Sequence, residues 1–239
     1  MEQRVQLSQY IICAFSSRAN GNTSLNYGDT RDSLLNRSRF LSTLGIDHRD
    51  LVCAKQVHGG HVHYARQQDR GRGAISYDSA LPDTDAFVTD KKNLPLAIFT
   101  ADFLSIFLYD PKAAAIGVVH AGWKSAKENI VANAILLMRD NFNSKVPDIR
   151  VTFGPAIREC CYEVGEEFHG FFPKGVISRQ GRNYLNIAAV NTEQLLSSGI
   201  DRSNIIDSGI CTSCQNEKFF SFRKEGESCG RLMSVAMLR

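Results

Sequence analysis

The chain has 239 residues, of which 43% are hydrophobic and 22% are charged, and it contains 18 glycines and six prolines. This composition is typical of a folded globular protein and excludes disordered, collagen-like and coiled-coil chains. Its 28 basic residues outnumber its 25 acidic residues by three. Such a small excess excludes the strongly basic surface of a dedicated nucleic-acid-binding protein, so no nucleic-acid partner is expected.

Neither a membrane span nor a secretory leader is predicted. The longest apolar stretch, 94–108, is interrupted by Asp102 and is too short to cross a bilayer. The apolar piece at 10–15 is shorter than the core of a signal peptide and predicts a first strand instead. Seven cysteines scattered along the chain do not resemble the disulfide framework of a small secreted domain. We therefore expect a cytoplasmic protein with no membrane partner.

The chain is predicted to be a single domain, 1–239, because no linker, charge block or repeat divides it. Short segments rich in β-branched and aromatic residues and bounded by turn formers predict strands. These segments are 10–16, 50–57, 62–65, 86–89, 96–100, 105–109, 114–119, 149–153, 184–187 and 205–207.

Helical patterns are fewer. Leu34, Leu41 and Leu44 indicate one helix, and apolar residues every four positions predict a second helix over 126–138 with Ser125 as its cap. Asn191 is predicted to cap a third helix that carries Leu195 and Leu196. Many strands with few helices favour a mixed α+β sandwich over regular βαβ alternation.

Three of the six histidines lie within six residues, at His58, His61 and His63. On a strand His61 and His63 would share one face, where they either bind a metal or face solvent. His58 precedes Gly59-Gly60, a turn that can pass close to a ligand. His120 ends an apolar strand beside a helix N-terminus, where it is either a functional group or a core histidine bonded to the backbone.

Asp102 lies between two apolar strands, where it could orient a histidine or cap backbone amides in a turn. Cys160 and Cys161 are adjacent and cannot readily form a disulfide with each other on an extended chain, so we interpret them as buried thiols. Cys211 and Cys214 have a C-x-x-C spacing that suits zinc or a redox pair. Because no second C-x-x-C or H-x₃₋₅-H accompanies them, no structural zinc site is predicted there.

Several motifs occur in a fixed order along the chain. They are KQVHG at 55–59, DAFVTD at 85–90, TAD at 100–102, HAGW at 120–123, GPAI at 154–157 and CYEVG at 161–165. Further matches lie near both ends, with SR at 17–18, SLNYG at 24–28, FFSFR at 219–223 and GR at 230–231. Together they resemble the laccase-domain (YfiH-like) family, whose members are also labelled polyphenol oxidase, purine nucleoside phosphorylase or peptidoglycan editing factor.

The resemblance implies a single-domain layered α/β sandwich of mixed sheets flanked by helices. It also implies a zinc cofactor held by His58, His120 and a cysteine directly after the TAD motif. In this chain that third position is Phe103, and losing a thiolate weakens a three-ligand zinc site. Three outcomes are open. His61 or His63 replaces the thiolate as a ligand, Cys160 or Cys161 replaces it, or the site has lost its metal. We favour the last two outcomes jointly over the first.

Laccase chemistry is not expected, because blue multicopper oxidases need about ten histidines and this chain has six. A cysteine hydrolase mechanism would lack its nucleophile at position 103. The resemblance implies instead phosphorolysis of purine nucleosides such as adenosine and inosine, with adenosine deamination as an associated activity. The expected partners are therefore a small-molecule nucleoside and phosphate.

In that scheme His58, His120 and Asp102 are the candidate catalytic residues, and Asp102 would orient His120 or handle a proton. The candidate phosphate- and substrate-binding cations are Arg18, Lys55 and Arg223. Two alternatives remain. One is a peptidoglycan editing factor that acts on a cell-wall nucleotide precursor, and the other is an inactive relative that binds a nucleoside or a partner protein.

Overall fold

The computed structural model describes residues 3–4 and 9–239. Its strands are β1 (Gln3–Arg4), β2 (Ile11–Phe15), β3 (Val62–Tyr64), β4 (Ala86–Thr89), β5 (Leu96–Thr100), β6 (Leu104–Asp110), β7 (Ala115–Ala121), β8 (Arg150–Phe153), β9 (Glu163–Val164), β10 (Val176–Arg179), β11 (Arg182–Leu185), β12 (Ile205–Asp207) and β13 (Leu232–Leu238). Its helices are α1 (Thr30–Ser42), α2 (Trp123–Lys127), α3 (Ile130–Phe142), α4 (Phe168–Phe171), α5 (Ile187–Ser197) and α6 (Phe222–Glu225). Among the described residues, no helix is long and apolar enough to cross a membrane.

Two sheets form the centre of the fold. One has four antiparallel strands in the order β1-β2-β13-β5, and the other has six strands in the order β12-β8-β6-β7-β4-β3. The six-stranded sheet is mixed, because β12 pairs with β8 and β3 pairs with β4 in parallel while the other neighbours are antiparallel. A small antiparallel sheet, β10-β11-β9, lies apart from these two.

Successive side chains of the buried strands point to opposite faces of their sheet and so pack against different layers. In β13, Leu232 and Ala236 pack between the two large sheets, while Met233 and Val235 pack under α1 on the outer face. Such two-sided burial is expected where successive side chains point to opposite faces of a sheet. On the far side, α3 and α5 cover the six-stranded sheet. The order helix, sheet, sheet, helix confirms the predicted layered α+β sandwich of mixed sheets.

Three predicted strands have the observed bounds, at 86–89, 96–100 and 205–207. The predicted strand 50–57 is wrong, because only Val52 and Ala54 make isolated bridges, to Leu96 and Leu81. Strand β13 was not predicted from its sequence. Because both of its faces are buried, its apolar run lacks the alternation that marks a half-exposed strand.

The predicted helix 126–138 is two helices. Asn129 has a φ of +56°, which breaks the helical path between α2 and α3, and Ser125 lies inside α2 rather than at a cap. The predicted cap at Asn191 is also wrong, because Asn191 lies within α5 and its amide donates to the Ile187 carbonyl. The observed cap is Asn186, whose side chain accepts from the N–H of Ala189.

The break at Asn129 yields a testable prediction. Replacing Asn129 by Ala should lower the free energy of unfolding by about 1 to 2 kcal/mol, because asparagine tolerates the left-handed region better than alanine does. Asn129→Gly should cost less, since glycine adopts this φ without strain. Denaturant unfolding of both variants measures the difference. Equal losses in the two variants would contradict the prediction.

Candidate active site

Asp85 lies directly before β4 and is completely buried. Its carboxylate accepts the backbone N–H groups of Val57, His58 and Gly59 at 3.0, 3.0 and 2.9 Å. Successive N–H groups that converge in this way form an anion-binding nest. Burial alone would raise the pKa of Asp85, but hydrogen bonds from His120 and from the nest outweigh it and hold the pKa below its ordinary value. Asp85 is therefore ionised at neutral pH.

His120 lies in β7 and is 2% exposed. Its Nδ1 is 2.8 Å from Asp85 Oδ1, and its backbone N–H donates to the Asp85 carbonyl, also at 2.8 Å. Because the carboxylate is ionised, Nδ1 carries the proton of this bond, which leaves Nε2 as the free nitrogen. The prediction that Asp102 orients His120 is wrong, since Asp85 does so.

His58 has a φ of +63°, in the left-handed region. Its ring centroid is 5.0 Å from that of His120, and its Nδ1 is buried without a hydrogen-bond partner among the described residues. Burial lowers the pKa of His58 to about 4, helped by nearby positive charge at His120, Lys124 and Arg231 and opposed by Asp85. His58 is therefore a neutral imidazole at physiological pH.

Phe103 packs against both imidazoles. Its ring centroid lies 5.2 Å from that of His58 and 5.6 Å from that of His120. A β-carbon built on Gly122 would be 2.9 Å from the Phe103 ring, so the glycine leaves the space that the ring needs. The aromatic side chain thus stands beside the histidine pair and offers no ligand atom.

These residues do not fit a zinc ion with three protein ligands. Ligand atoms of His58, Asp85 and His120 lie within 4.8 Å of one another. However, the Asp85 oxygens already accept four hydrogen bonds, three from the nest and one from His120. Two imidazole nitrogens remain, and a three-ligand catalytic zinc site needs one more donor.

The replacement ligands considered from the sequence lie elsewhere. His61 Nδ1 is 2.9 Å from the Asp83 carbonyl, and His63 Nε2 is 3.1 Å from Asp69. The thiols of Cys160 and Cys161 meet the Cys214 thiol at 3.6 and 3.3 Å. Neither cysteine lines the cavity described below. The prediction that one of them substitutes for the missing thiolate is therefore wrong.

The C-x-x-C pair also has companions that its sequence context did not show. Cys160, Cys161, Cys211 and Cys214 form one group whose sulfur atoms all lie within 4.8 Å of one another. The sequence contains no second C-x-x-C motif, but the fold brings two cysteines about fifty residues earlier against this pair. The interpretation of Cys160 and Cys161 as buried thiols is wrong, since Cys160 is exposed and Cys161 is half-buried.

The histidine pair borders a cavity of about 650 Å³. Much of its wall is aromatic, contributed by Tyr27, Tyr77, Phe99, Phe103, Trp123, Tyr162, Phe168 and Phe222. Asp102 also borders it, with a φ of +82°, and its carboxylate accepts the Thr212 hydroxyl at 2.6 Å and the Arg223 backbone N–H at 2.7 Å. Asp102 thus joins three segments at the cavity wall.

Of the cations named from the sequence, Arg223 lines the cavity, whereas Arg18 and Lys55 do not. Arg18 pairs with Glu225 at 2.6 Å and donates to two backbone carbonyls. Lys55 Nζ lies 5.5 Å from the ring centroid of Tyr77. Sequence reasoning missed Lys124 and Arg231, which line the cavity, although both belong to or adjoin motifs of the resemblance.

The low pKa of His58 yields a testable prediction. In an NMR titration the His58 imidazole should protonate with a midpoint near pH 4, instead of about 6.5 as in an unfolded chain. Between these values the unfolded state binds more protons, so the free energy of unfolding should rise with pH and level off above about 6.5. His58→Gln should remove this part of the rise. A His58 midpoint near 6.5 would contradict the prediction.

A family model described as multi-copper polyphenol oxidoreductase laccase matches residues 13–239 of the chain. Purine nucleoside phosphorylase YlmD from Geobacillus stearothermophilus is 32% identical over 223 residues, which cover 89% of this chain and 81% of that protein. Adenosine deaminase RL5, from an unknown prokaryotic organism, is 31% identical over 197 residues, covering 79% of this chain and 75% of its own.

The crystal structure of the Bacillus licheniformis hypothetical protein YfiH is similar to the whole fold. It matches with a TM-score of 0.96 and 30% identity, and covers 100% of this chain and 96% of the YfiH chain. These matches confirm the resemblance inferred from the motifs. The chain belongs to the multi-copper polyphenol oxidoreductase laccase family, which the motifs identify as YfiH-like.

Proposed function

We propose that this chain binds a purine nucleoside together with phosphate in the cavity and cleaves the nucleoside by phosphorolysis. The observation that carries the proposal is the cavity itself, in which aromatic walls, cationic side chains and the histidine pair adjoin. Its volume lies within the range of about 300–1,000 Å³ typical of small-molecule sites. The relative named purine nucleoside phosphorylase supports the same substrate class.

Aromatic side chains suit the base. Purine rings are flat and stack on aromatic faces with a gain of about 1–3 kcal/mol per base. Trp123 and Phe168 border the cavity with their ring centroids 5.1 Å apart, and Phe222 borders it on another segment. We therefore assign recognition of the purine to this wall.

Cations suit the phosphate. The Arg223 guanidinium donates to the carbonyls of Cys161 and Glu163, and Arg231 donates to those of Cys229 and Gly230. These partners are neutral, and among the described residues no carboxylate forms an ion pair with either guanidinium. A guanidinium binds phosphate through paired hydrogen bonds, and Lys124 adds a third charge to the same cavity.

In the reaction, a phosphate oxygen bonds to C1′ of the ribose while the bond from C1′ to the base breaks. The electron pair of that bond goes to the base, which must take up a proton. We assign that proton to the Nε2–H of His120 in its imidazolium form, while the Nδ1–H of the same ring donates to Asp85. Neutral His58 cannot supply it. Asp102 is bonded to Thr212 and Arg223, so we assign it to shaping the cavity.

Phe103 favours a second candidate function, nucleoside binding with little turnover. No step above passes through a metal, because the residues beside His58 do not fit the three-ligand site. Adenosine deamination would need an activated water at the purine C6, which zinc supplies in deaminases. We therefore propose phosphorolysis rather than deamination for this chain.

The proposed function predicts that the chain releases base from inosine or adenosine only when phosphate is present. Arg231→Gln should lower kcat/KM at least about tenfold, through a higher KM for phosphate, since one charge-assisted contact is lost. Arg202→Gln, which removes an exposed charge outside the cavity, is the matched control. Coupled assays of base release measure both. Phosphate-independent release would indicate a hydrolase, and nucleoside binding without release would establish the second candidate.

A second prediction concerns Phe103. Phe103→Cys supplies a third ligand beside His58 and His120, so it should bind about one zinc ion more per chain than the parent. Phe103→Ala is the control, because it opens the same space without adding a thiolate. Metal analysis of both purified variants measures the difference. Equal zinc contents in the two variants would overturn the prediction.

A further inference from the structure

Four cysteines that do not line the cavity form a second group of potential ligands. All four sulfur atoms of Cys160, Cys161, Cys211 and Cys214 lie within 4.8 Å of one another, and each cysteine is a free thiol. The distances from Cys214 Sγ are 3.3 Å to Cys161 and 3.6 Å to Cys160. Nothing in the proposed reaction uses these side chains.

The backbone brings the two cysteine pairs together. Ala156 and Cys211 form an isolated parallel bridge, in which Ala156 N–H donates to Ile210 and Thr212 N–H donates to Ala156. Residues 159–161 form a turn, closed by bonds from Cys161 and Tyr162 to the Arg158 carbonyl. Adjacent side chains diverge on an extended strand, but this turn lets both thiols approach one point. The fold thus positions the sulfur atoms before any ion arrives.

The sulfur spacing matches a tetrahedral metal site. A zinc ion with four sulfur ligands at about 2.3 Å places the ligands about 3.8 Å from one another. The distances from Cys214 Sγ, 3.3 and 3.6 Å, differ from that value by half an ångström or less, and the other pairs lie within 4.8 Å. A four-thiol set with tetrahedral spacing is typical of zinc in structural sites.

One sulfur atom of the group also receives backbone N–H donors. Backbone N–H groups of Cys214 and Arg158 donate to the sulfur of Cys211, the buried member of the group. N–H donors to sulfur stabilise the thiolate form that binds metal. Arg179 donates to the Cys160 carbonyl and Arg223 to the Cys161 carbonyl. Four thiolates and one Zn²⁺ together carry a net negative charge. The guanidinium groups of Arg179 and Arg223 lie close enough to stabilise it.

We propose that Cys160, Cys161, Cys211 and Cys214 bind one structural zinc ion, at a site separate from the histidine pair. The ion joins the turn at 159–161 to the C-x-x-C turn. Both turns reach the cavity wall, because Thr212 donates to Asp102 and Arg223 donates to the Cys161 carbonyl. The ion therefore braces the segments that hold Asp102 and Arg223 in place.

Metal analysis of the reduced full-length protein, saturated with zinc and then passed through a desalting column, tests the proposal. The parent should retain about one zinc ion more per chain than the double variant Cys211→Ser, Cys214→Ser. His58→Ala with His120→Ala should keep that ion, which separates this site from any metal at the histidine pair. Cys13→Ala, a buried cysteine of β2 outside the group, is the matched control and should also keep it.

Two measurements on the parent protein do not depend on the variants folding. Zinc X-ray absorption should show four sulfur ligands at about 2.3 Å. Cobalt loaded in place of zinc should give intense thiolate-to-metal charge-transfer absorption, which the His58→Ala, His120→Ala variant keeps. Failure to bind either metal, a shell dominated by nitrogen or oxygen, or disulfides among the four cysteines in freshly isolated protein would overturn the proposal. None of these results depends on whether the protein cleaves nucleosides.

Discussion

The Asp85 carboxylate is the interaction on which the candidate site depends. Antiparallel pairing of β4 with β7 sets Ala86 opposite Val119, and therefore Asp85 opposite His120. From that place one buried charge fixes the His120 ring and holds three N–H groups around His58. Removing it would leave the buried His120 ring without its acceptor, at a cost of about 1–3 kcal/mol, and would also release the three part-buried N–H groups of the nest. The left-handed φ of His58 is stable because this nest compensates for it.

The sequence predicted the layered architecture better than the points where individual helices and strands begin and end. Strands with clear turn boundaries, such as 86–89 and 96–100, have the predicted bounds, because local residue preference and tertiary pairing agree there. Asn129 interrupts a pattern that is helical on both sides, and apolar periodicity carries no information about a single left-handed residue. Strand β13 is buried on both faces, so tertiary position rather than local pattern defines it.

In the candidate site, too, local motifs were predicted correctly and long-range contacts were missed. His58 and His120 were found because each lies in a short motif, whereas Asp85 was missed because its role depends on strand register across 35 residues. Asp102 was assigned the role of Asp85 from its place between two strands. Its own partners, Thr212 and Arg223, lie more than a hundred residues away along the chain. Local sequence identifies which side chains are chemically capable, but the contacts that decide their roles are long-range.

The proposed four-cysteine site changes how the metal content of this protein is interpreted. Four thiolates bind zinc more tightly than two neutral imidazoles, because soft anionic ligands suit this ion and more ligands hold it. The cysteine site therefore takes up limiting zinc, and the histidine pair beside Phe103, which lacks a third ligand, does not compete for it. A content of one zinc ion per chain is then expected from the four-cysteine site alone. It is no evidence for a metal at the reacting atoms. Only a second equivalent, dependent on His58 and His120, would indicate a catalytic ion.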